Sequence, residues 1–301
     1  MRIVVVGSGS MGSLFGAHLS RTDAEVVCYD VDQDHVDAMN RDGLVIESNG
    51  GPDERVPVTA TTDPTTIDSA DLVILFVKSI HTVDALESAT AFLTEETDVL
   101  TLQNGFRNPH VIAEYVPESN VIVGTTTASA ELVGPGTLAN TDPDVVTIGR
   151  YFDENDAFVE DVSALLERAG FDVSVSASIR DDVWEKLLIN LTLNPITALT
   201  GMRVGEAVTD PESRELIEAL VEETVRVGRA RGVTFRDDPV EYVVTVAKRN
   251  PEHKTSMRHD VEAGNPTEID HLSGALVEYA RDEGIAVPHQ RTISTLVSLR
   301  E

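Results

Sequence analysis

The sequence WEKLLINLTLN, residues 184–194, carries one lysine and two asparagines at intervals of four within a run of leucine and isoleucine. Residues four apart lie on one face of a helix, so Lys186, Asn190 and Asn194 share a stripe. A buried polar group must be paired or must face a polar ligand. An ammonium group can protonate or polarise a carbonyl oxygen, and amides can orient hydroxyl or carboxylate groups. The stripe therefore predicts either the wall of a binding cleft or a buried polar network.

A second chemical signal is the glycine-rich turn GSGSMG, which follows the strand-like run RIVVV at the N-terminus. It matches G-x-G-x-x-G and opens a helix-like segment, the context that makes this motif specific for a dinucleotide. The first glycine would allow a tight turn, the second a close approach of the backbone to pyrophosphate, and the third helix–strand packing. The predicted loop residues are Gly7, Ser8, Gly9, Ser10, Met11 and Gly12.

The choice of dinucleotide depends on Asp30, which ends the second predicted strand, EVVCYD. A carboxylate at this position can accept hydrogen bonds from both ribose hydroxyls of NAD and would repel a 2′-phosphate. Asp30 is followed by Val31 and Asp32, so no positive charge stands beside it. The sequence favours NADH over NADPH. The alternative interpretation is that Asp30 only caps the following helix.

The elements that would position these residues form two regions. Strand-like and helix-like segments alternate up to residue 177, which predicts a parallel sheet with right-handed crossovers. Residues 178–301 are helical almost throughout. The predicted fold class is α/β, with an N-terminal Rossmann-type doubly wound sheet (1–177) and an all-helical C-terminal domain (178–301). We expect the lysine and amide stripe to line a cleft between the two domains.

Two further polar residues follow predicted strands directly. Lys78 comes after LVILFV, and Asn104 comes after VLTLQ. Doubly wound sheets bind ligands beyond the carboxyl ends of their strands, so both residues are candidates for contacts with cofactor or substrate. Lys78 is alternatively a solvated strand end.

Composition limits the possible functions. The chain has 23 Lys plus Arg against 52 Asp plus Glu, a formal net charge of −29, which argues against nucleic acid as a partner. The acidic residues are interspersed, and we interpret them as an adaptation to high salt in a halophilic source. No apolar run approaches the roughly 20 residues that span a membrane. A single cysteine and the lack of a signal peptide favour a cytoplasmic location.

The segment TSMRHDVEAGNPTEID, residues 255–270, contains the last candidates. Ser256 and Asp260 are four apart on a short predicted helix. Thr267 is expected to be the N-cap of the next helix, with negative charge in its first turn. Capping is the preferred interpretation for Asp270, whereas Glu268 either caps or faces the cleft.

Together these blocks resemble the ketopantoate reductase family, whose members reduce 2-dehydropantoate to pantoate. The resemblance runs through GSGSMG, FVKS, LQNG, WEKLLINLTLNPITALTG and SMRHDVEAGNPTEID, essentially the whole chain. It implies that Lys186 is the general acid and that Glu268 binds the substrate hydroxyl. It also implies cofactor contacts from Lys78 and Asn104, and a substrate pocket lined by Asn104, Asn190, Asn194 and Ser256.

The resemblance leaves alternatives open. Family members usually prefer NADPH and carry an arginine after the second strand, where this chain has Asp30-Val31. A reductase of another branched 2-oxo acid and a non-catalytic dinucleotide sensor are the competing functions, and the presence of Lys186 and Glu268 argues against the sensor. No histidine spacing indicates a metal, and none is expected. A homodimer is possible.

Overall fold

The computed structural model describes residues 1–47 and 52–300. The chain forms two compact units. The first unit comprises 1–103 and 108–179, and the second comprises 104–107 and 180 onward. Residues 48–51 and 301, which fall inside the two predicted domains, lie outside the described residues.

The first unit is built on an eight-stranded sheet in the order β12-β11-β8-β7-β6-β1-β2-β5. Its strands are β1 (Arg2–Val6), β2 (Glu25–Tyr29), β5 (Thr59–Thr61), β6 (Leu72–Leu75), β7 (Asp98–Thr101), β8 (Val121–Thr126), β11 (Val145–Arg150) and β12 (Asp172–Val175). β1 pairs in parallel with both β2 and β6, so the strand order reverses at β1. The loops after β1 and β6 therefore meet at the switch point where such sheets bind ligands. The predicted Rossmann-type fold is confirmed.

The far edge of this sheet departs from the expected parallel arrangement. β11 pairs antiparallel to β8, and β12 is parallel to β11, so the last two strands run opposite to the others. The hydrophobic runs predicted strands here but carried no information on direction. In an edge region, a strand can pair in either direction when a connection longer than a simple crossover precedes it.

That longer connection forms part of a second sheet, in the order β4-β3-β10-β9. Its strands are β3 (Leu44–Ile46), β4 (Glu54–Val56), β9 (Ser129–Gly134) and β10 (Thr137–Asp142). The composition of residues 125–150 predicted extra strands, and β9, β10 and β11 confirm them. β3, β4 and β5 are only three residues long and were not predicted, because so short a strand shows no periodicity.

Helices cover the first unit and form the second, as predicted. Those of the first unit are α1 (Ser10–Leu19), α2 (Gln33–Asp42), α3 (Thr82–Ala89), α4 (Asn108–Ile112) and α5 (Ala157–Arg168). Those of the second are α6 (Ile179–Thr200), α7 (Val204–Thr209), α8 (Pro211–Ala230), α9 (Pro239–Arg249), α10 (Ser256–Ala263), the π-helical turn Asp270–Gly274, α11 (Ala275–Asp282) and α12 (Pro288–Ser298). None of the helices in the described ranges is long and apolar enough to cross a membrane.

Helix α6 continues through Pro195, whose ring cannot donate to the carbonyl of Leu191. The sequence predicts that the carbonyl of Leu191 lacks its usual helical donor. In the structure it accepts a hydrogen bond from a side chain on another helix. Gln290 on α12, fully buried, donates from Nε2 to Leu191 O at 3.3 Å. The same amide lies 3.1 Å from Thr224 Oγ1 and 3.4 Å from Leu220 O on α8. One glutamine thus joins three helices of the second unit.

Replacing this glutamine should weaken the second unit. Gln290→Met keeps the volume but leaves the buried carbonyl of Leu191 without its side-chain donor, so we expect the free energy of unfolding to fall by about 2 kcal/mol. Trp184, the only tryptophan, lies in this unit, and its fluorescence in urea measures the change. Thr295→Met, an exposed position on the same helix, is the control. Equal unfolding midpoints for Gln290→Met and wild type would contradict the assignment.

Candidate functional site

The glycine turn begins directly after β1 and leads into α1. Gly7 has φ of 86°, a conformation that favours glycine, and a Cβ there would lie 2.7 Å from Val77 Cγ1. A Cβ on Gly12 would overlap the carbonyl oxygen of Gly7. Gly9, by contrast, has no atom within 4 Å of the place where its Cβ would lie. The turn therefore leaves open space over Gly9 at the N-terminus of a ten-residue helix, which suits a pyrophosphate.

Asp30 is bound to this turn. Its Oδ2 accepts the backbone N–H of Ser8 at 2.5 Å, and its Oδ1 accepts that of Asp32 at 3.0 Å. The N-cap of α2 is Asp32, whose carboxylate accepts the N–H of His35. Asp30 is therefore not the cap of that helix. Val31, next in the chain, is 84% exposed and uncharged.

The loop after β6 lies beside the glycine turn. Val77 is the neighbour of Gly7 described above, and Lys78, exposed, follows it and begins a 3₁₀ turn. Gln103 at the end of β7 fixes this loop, because its Nε2 donates to Val77 O at 2.6 Å and to Thr82 Oγ1 at 3.0 Å. The loop that contains Lys78 is thus held by a glutamine that was not predicted from the sequence.

In the second unit the predicted stripe lies on α6. Lys186 and Asn190 are partly buried, and Asn194 is 5% exposed. Asn190 donates from Nδ2 to Asn104 Oδ1 at 3.2 Å, so the segment 104–107 joins the stripe. Phe106 in that segment packs on Trp184 with ring centroids 4.4 Å apart. The structure therefore brings together two predicted residues that are 86 positions apart in the chain.

Lys186 has an unusual environment. Burial lowers the pKa of its ammonium group to about 8, and the negative charge of Glu268 partly offsets the effect. A lysine with this pKa is mostly protonated at neutral pH, yet it gives up its proton more readily than an exposed lysine. Buried ionisable groups of this kind are concentrated at functional sites.

Ser256 is connected to the stripe through two threonines. Thr255, the N-cap of α10, lies with its Oγ1 2.7 Å from Thr197 Oγ1 on α6. Thr197 Oγ1 also donates to Asn194 O at 3.2 Å. Both threonines are buried, whereas Ser256 is exposed at the first position of α10. Thr197 and Thr255 were not predicted, because no distinctive spacing in the sequence connects the two hydroxyl groups.

The prediction that Thr267 is the N-cap of the next helix is wrong. The helical turn begins at Asp270, and its N-cap is Ile269, with no side-chain cap. The hydroxyl of Thr267 instead accepts the N–H of Ile269 at 3.2 Å. The turn is π-helical, with Gly274 N–H bonded to Ile269 O, so the residues that precede it are displaced from the usual capping geometry. Glu268 is partly buried in this bend, and Asp270 is exposed.

Nothing in the described ranges groups three or more His, Cys, Asp or Glu side chains as a metal site would require. The candidate residues instead form two sets, one in each unit. The first set surrounds the glycine turn and includes Asp30 and Lys78. The second consists of Asn104, the α6 stripe, Ser256 and Glu268.

A glycine turn at the switch point of a Rossmann-type sheet, with a helical unit that carries a readily deprotonated lysine, defines a dinucleotide-dependent oxidoreductase. The chain belongs to the ketopantoate reductase family. The family description "Ketopantoate reductase PanE/ApbA" matches residues 3–152, and "Ketopantoate reductase PanE/ApbA C terminal" matches residues 178–301.

Individual relatives agree with this assignment. A Halobacterium salinarum protein named 2-dehydropantoate 2-reductase is 40% identical over 304 residues, which cover 100% of this chain and 99% of that protein. The crystal structure of a ketopantoate reductase from Ralstonia eutropha JMP134 matches with a TM-score of 0.90 and 30% identity, covering 100% of this chain and 98% of that one. D-mandelate dehydrogenase in complex with NADH and anilino(oxo)acetate matches with a TM-score of 0.91 and 25% identity, at the same coverage.

The depressed pKa of Lys186 has a consequence for stability. The native state holds this pKa at about 8, below its ordinary value of 10.5. Below pH 8 both states carry the proton, and the native state bears the full cost of the buried cation. Between pH 8 and 10.5 the unfolded chain binds more protons, so native stability rises with pH. Lys186→Met should therefore stabilise the second unit at pH 7, by at most about 3 kcal/mol because the side chain is partly exposed.

Urea unfolding followed by Trp184 fluorescence at pH 7 and pH 10 measures this effect. The advantage of Lys186→Met over wild type should shrink at pH 10. Lys248→Met, at an exposed lysine of α9, is the matched control and should give no such pH dependence. An advantage that is equal at both pH values would show that the stability of the native state does not depend on the charge of Lys186.

Proposed function

We propose that this chain is a 2-dehydropantoate 2-reductase, which reduces the ketone of 2-dehydropantoate to the alcohol of pantoate with NAD(P)H. The observation that carries the proposal is the partly buried Lys186, with a pKa of about 8, on one stripe with Asn190 and Asn194 in a member of this family. A proton donor beside neutral amides suits reduction of a 2-oxo acid, because the ketone oxygen must gain a proton as hydride reaches its carbon.

The first unit would bind the cofactor, which supplies the hydride when bound. The open space over Gly9 and the N-terminus of α1 accept the pyrophosphate. Asp30 accepts the ribose hydroxyls, and Lys78 lies near the nicotinamide end. Because Asp30 is anionic and Val31 is uncharged, we propose that NADH is preferred to NADPH.

In the second unit Lys186 would act as the general acid. As negative charge develops on the ketone oxygen, the ammonium group stabilises it and donates a proton. Burial makes this donation easier by lowering the pKa, and the charge of Glu268 keeps the group protonated at neutral pH. An exposed lysine would be a weaker acid, and a fully desolvated one would lose its proton before the substrate arrives.

The neighbouring groups would orient the substrate. Glu268 accepts a hydrogen bond from the substrate hydroxyl. Asn104 also contacts the cofactor, and its bond to Asn190 sets the directions of both amides before substrate binds. Asn194 and Ser256 complete the pocket, and the buried pair Thr197 and Thr255 fixes their spacing.

A cytoplasmic location remains part of the proposal, and the acidity of the chain supports a saline setting. The formal net charge is −29, and the relative named 2-dehydropantoate 2-reductase comes from Halobacterium salinarum. Both the substrate and the dinucleotide are anions, and a strongly negative protein repels them unless salt screens the charge. Reductase activity should therefore be measured in molar KCl, which screens this repulsion.

A second candidate activity has support of its own. D-mandelate dehydrogenase shares the whole fold, and its complex holds anilino(oxo)acetate, a 2-oxo acid derivative with an aromatic group. The chain could therefore reduce a different bulky or branched 2-oxo acid. Comparison of kcat/KM for ketopantoate, 2-oxoisovalerate and phenylglyoxylate separates the two activities.

Lys186→Met should lower kcat for ketopantoate reduction by roughly 10²- to 10⁴-fold, because the general acid is lost. In the wild type, kcat should decline as the pH rises through about 8, where the ammonium group loses its proton. The measurement is the steady-state oxidation of NADH from pH 6 to pH 10. Lys248→Met, exposed on α9, should retain wild-type kcat. Turnover by Lys186→Met at the rate of Lys248→Met would exclude Lys186 as the proton donor.

The cofactor preference depends on two adjacent residues. Wild type should use NADH with a kcat/KM at least about 10-fold above that for NADPH, and Val31→Arg should raise kcat/KM for NADPH by about 10-fold through pairing with the 2′-phosphate. Leu299→Arg, which adds the same charge at a position 79% exposed in the second unit, should change neither value. If wild type prefers NADPH, the reductase assignment stands and Asp30 serves only to hold Ser8.

A further inference from the structure

The four-stranded sheet is joined to the glycine turn directly at Ser10 and indirectly through His35 on α2. Strands β9 and β10 are connected by the turn Pro135-Gly136, in which Gly136 has φ of 68°. From β9, the N–H of Leu132 donates to Ser10 Oγ at 3.1 Å. From the turn, the N–H of Gly136 donates to His35 Nδ1 at 2.9 Å. The hairpin has no established role in the proposed function, yet it binds the loop that would hold the cofactor.

His35 continues this connection into the loop. Its Nε2 lies 3.2 Å from Ser13 Oγ, and Ser13 Oγ donates to Ser8 O at 2.5 Å. A backbone N–H can only donate, so Nδ1 of His35 is the acceptor and the ring proton lies on Nε2. That proton is donated to Ser13, whose own hydroxyl proton goes to Ser8. We call Gly136, His35, Ser13 and Ser8 the His35 chain. His35 is 2% exposed, and both serines are fully buried.

The end of the His35 chain fixes the orientation of one peptide. The carbonyl of Ser8 and the N–H of Gly9 belong to the same planar trans peptide, so they point in opposite directions. Holding Ser8 O inward on Ser13 therefore turns the N–H of Gly9 outward. Gly9 is exposed and has open space around it, so no side-chain packing sets its direction. The preceding peptide is held separately, by the bond from Ser8 N–H to Asp30.

We propose that His35 is a positioning residue of the dinucleotide site, which acts through Ser13 to aim the N–H of Gly9 at the cofactor pyrophosphate. This inference rests on the proposed binding of a dinucleotide at the glycine turn. The hairpin β9–β10 sets the histidine, because Gly136 N–H fixes its tautomer and Val45 N–H holds Gly136 O at 2.8 Å. Preorganised donors bind an anion without first paying for their ordering.

Two substitutions of the histidine test the hydrogen bonds of its two nitrogen atoms one at a time. In His35→Gln the side-chain amide nitrogen can replace Nε2 and still donate to Ser13, whereas the acceptor for Gly136 is lost. In His35→Asn the amide oxygen can replace Nδ1 and accept from Gly136, whereas the donor to Ser13 is lost. Ser13→Ala removes the middle of the His35 chain. Because the inference concerns Ser8 and Gly9, the donor to Ser13 is the bond that matters.

The experiment is direct titration of NADH fluorescence with the purified full-length protein in molar KCl, with steady-state kinetics alongside. Ser13→Ala and His35→Asn should raise the Kd and the KM for NADH by about 5- to 10-fold, the effect of one lost buried hydrogen bond. His35→Gln should stay within about twofold of wild type. For all three, kcat at saturating NADH and KM for the oxo acid should change by less than about twofold, because only cofactor binding is altered.

A buried control distinguishes positioning from general destabilisation. Thr97 is fully buried, and its Oγ1 donates to Ala70 O at 2.9 Å, near the amino ends of β6 and β7 and opposite the glycine turn. Thr97→Val removes this bond and the contacts of the same hydroxyl with Thr94, so it should lower the thermal unfolding midpoint without changing the Kd for NADH. If Ser13→Ala does not fold, the difference in Kd for NADH between His35→Asn and His35→Gln still tests the inference.

Three results would overturn the inference. The first is an equal Kd for NADH in wild type, Ser13→Ala and His35→Asn. The second is a His35→Gln variant that binds NADH as weakly as His35→Asn. The third is a Thr97→Val variant with the same loss of affinity for NADH. The result that tests the proposed function is separate. Wild-type protein that is folded but binds neither NADH nor NADPH would remove the proposed function and this inference together.

Discussion

A strand in a parallel sheet ends at the same edge as its parallel neighbours, and this constraint organises the first unit. Because β1 and β6 are adjacent and parallel, the glycine turn and the loop that carries Lys78 are forced together. The glycine positions follow from how closely these loops approach, since a Cβ on Gly7 would meet Val77. The polar residues nearby, Asp30 and Gln103, bind backbone groups of the two loops and hold them in place.

The second unit contains a different balance, between the cost of burying a cation and the attraction of a nearby negative charge. Lys186 lies on an otherwise apolar helix, and its ammonium group has the negative charge of Glu268 as partial compensation. Because a protein of such negative net charge attracts protons, the depressed pKa must come from local desolvation, which acts at short range. Desolvation and the charge of Glu268 thus act on the pKa of this lysine in opposite directions, and desolvation prevails.

Much of this arrangement follows from the sequence because it depends on local spacing. The stripe of Lys186, Asn190 and Asn194 requires only a helix, and the glycine turn requires only a strand before it and a helix after it. What the sequence did not predict depends on partners far away in the chain. His35 meets Gly136, 101 residues away, and Gln290 meets Leu191, 99 residues away. No periodicity marks such pairs, and a histidine in a polar helix reads as surface.

The direction of β11 and β12 and the short strands β3 to β5 were unpredictable for a related reason. Their pairing is decided by the rest of the sheet, and three residues carry too little pattern to reveal it. At Thr267 local rules gave a reasonable cap, but the π-helical turn displaced it. Departures of this kind often mark functional segments.

The assignment of residues 104–107 to the second unit affects how the two halves of the gene can be inherited. The chain leaves the first unit after Gln103, contributes Asn104 and Phe106 to the second, and returns at Asn108 before leaving again after Ile179. The helical unit therefore includes a piece encoded within the other half, and the ring of Phe106 packs on Trp184. A recombination event at residue 179 would combine the helices with an NGFR segment, residues 104–107, that had not evolved with them. The two halves should consequently evolve as one unit of inheritance, although each forms a compact body.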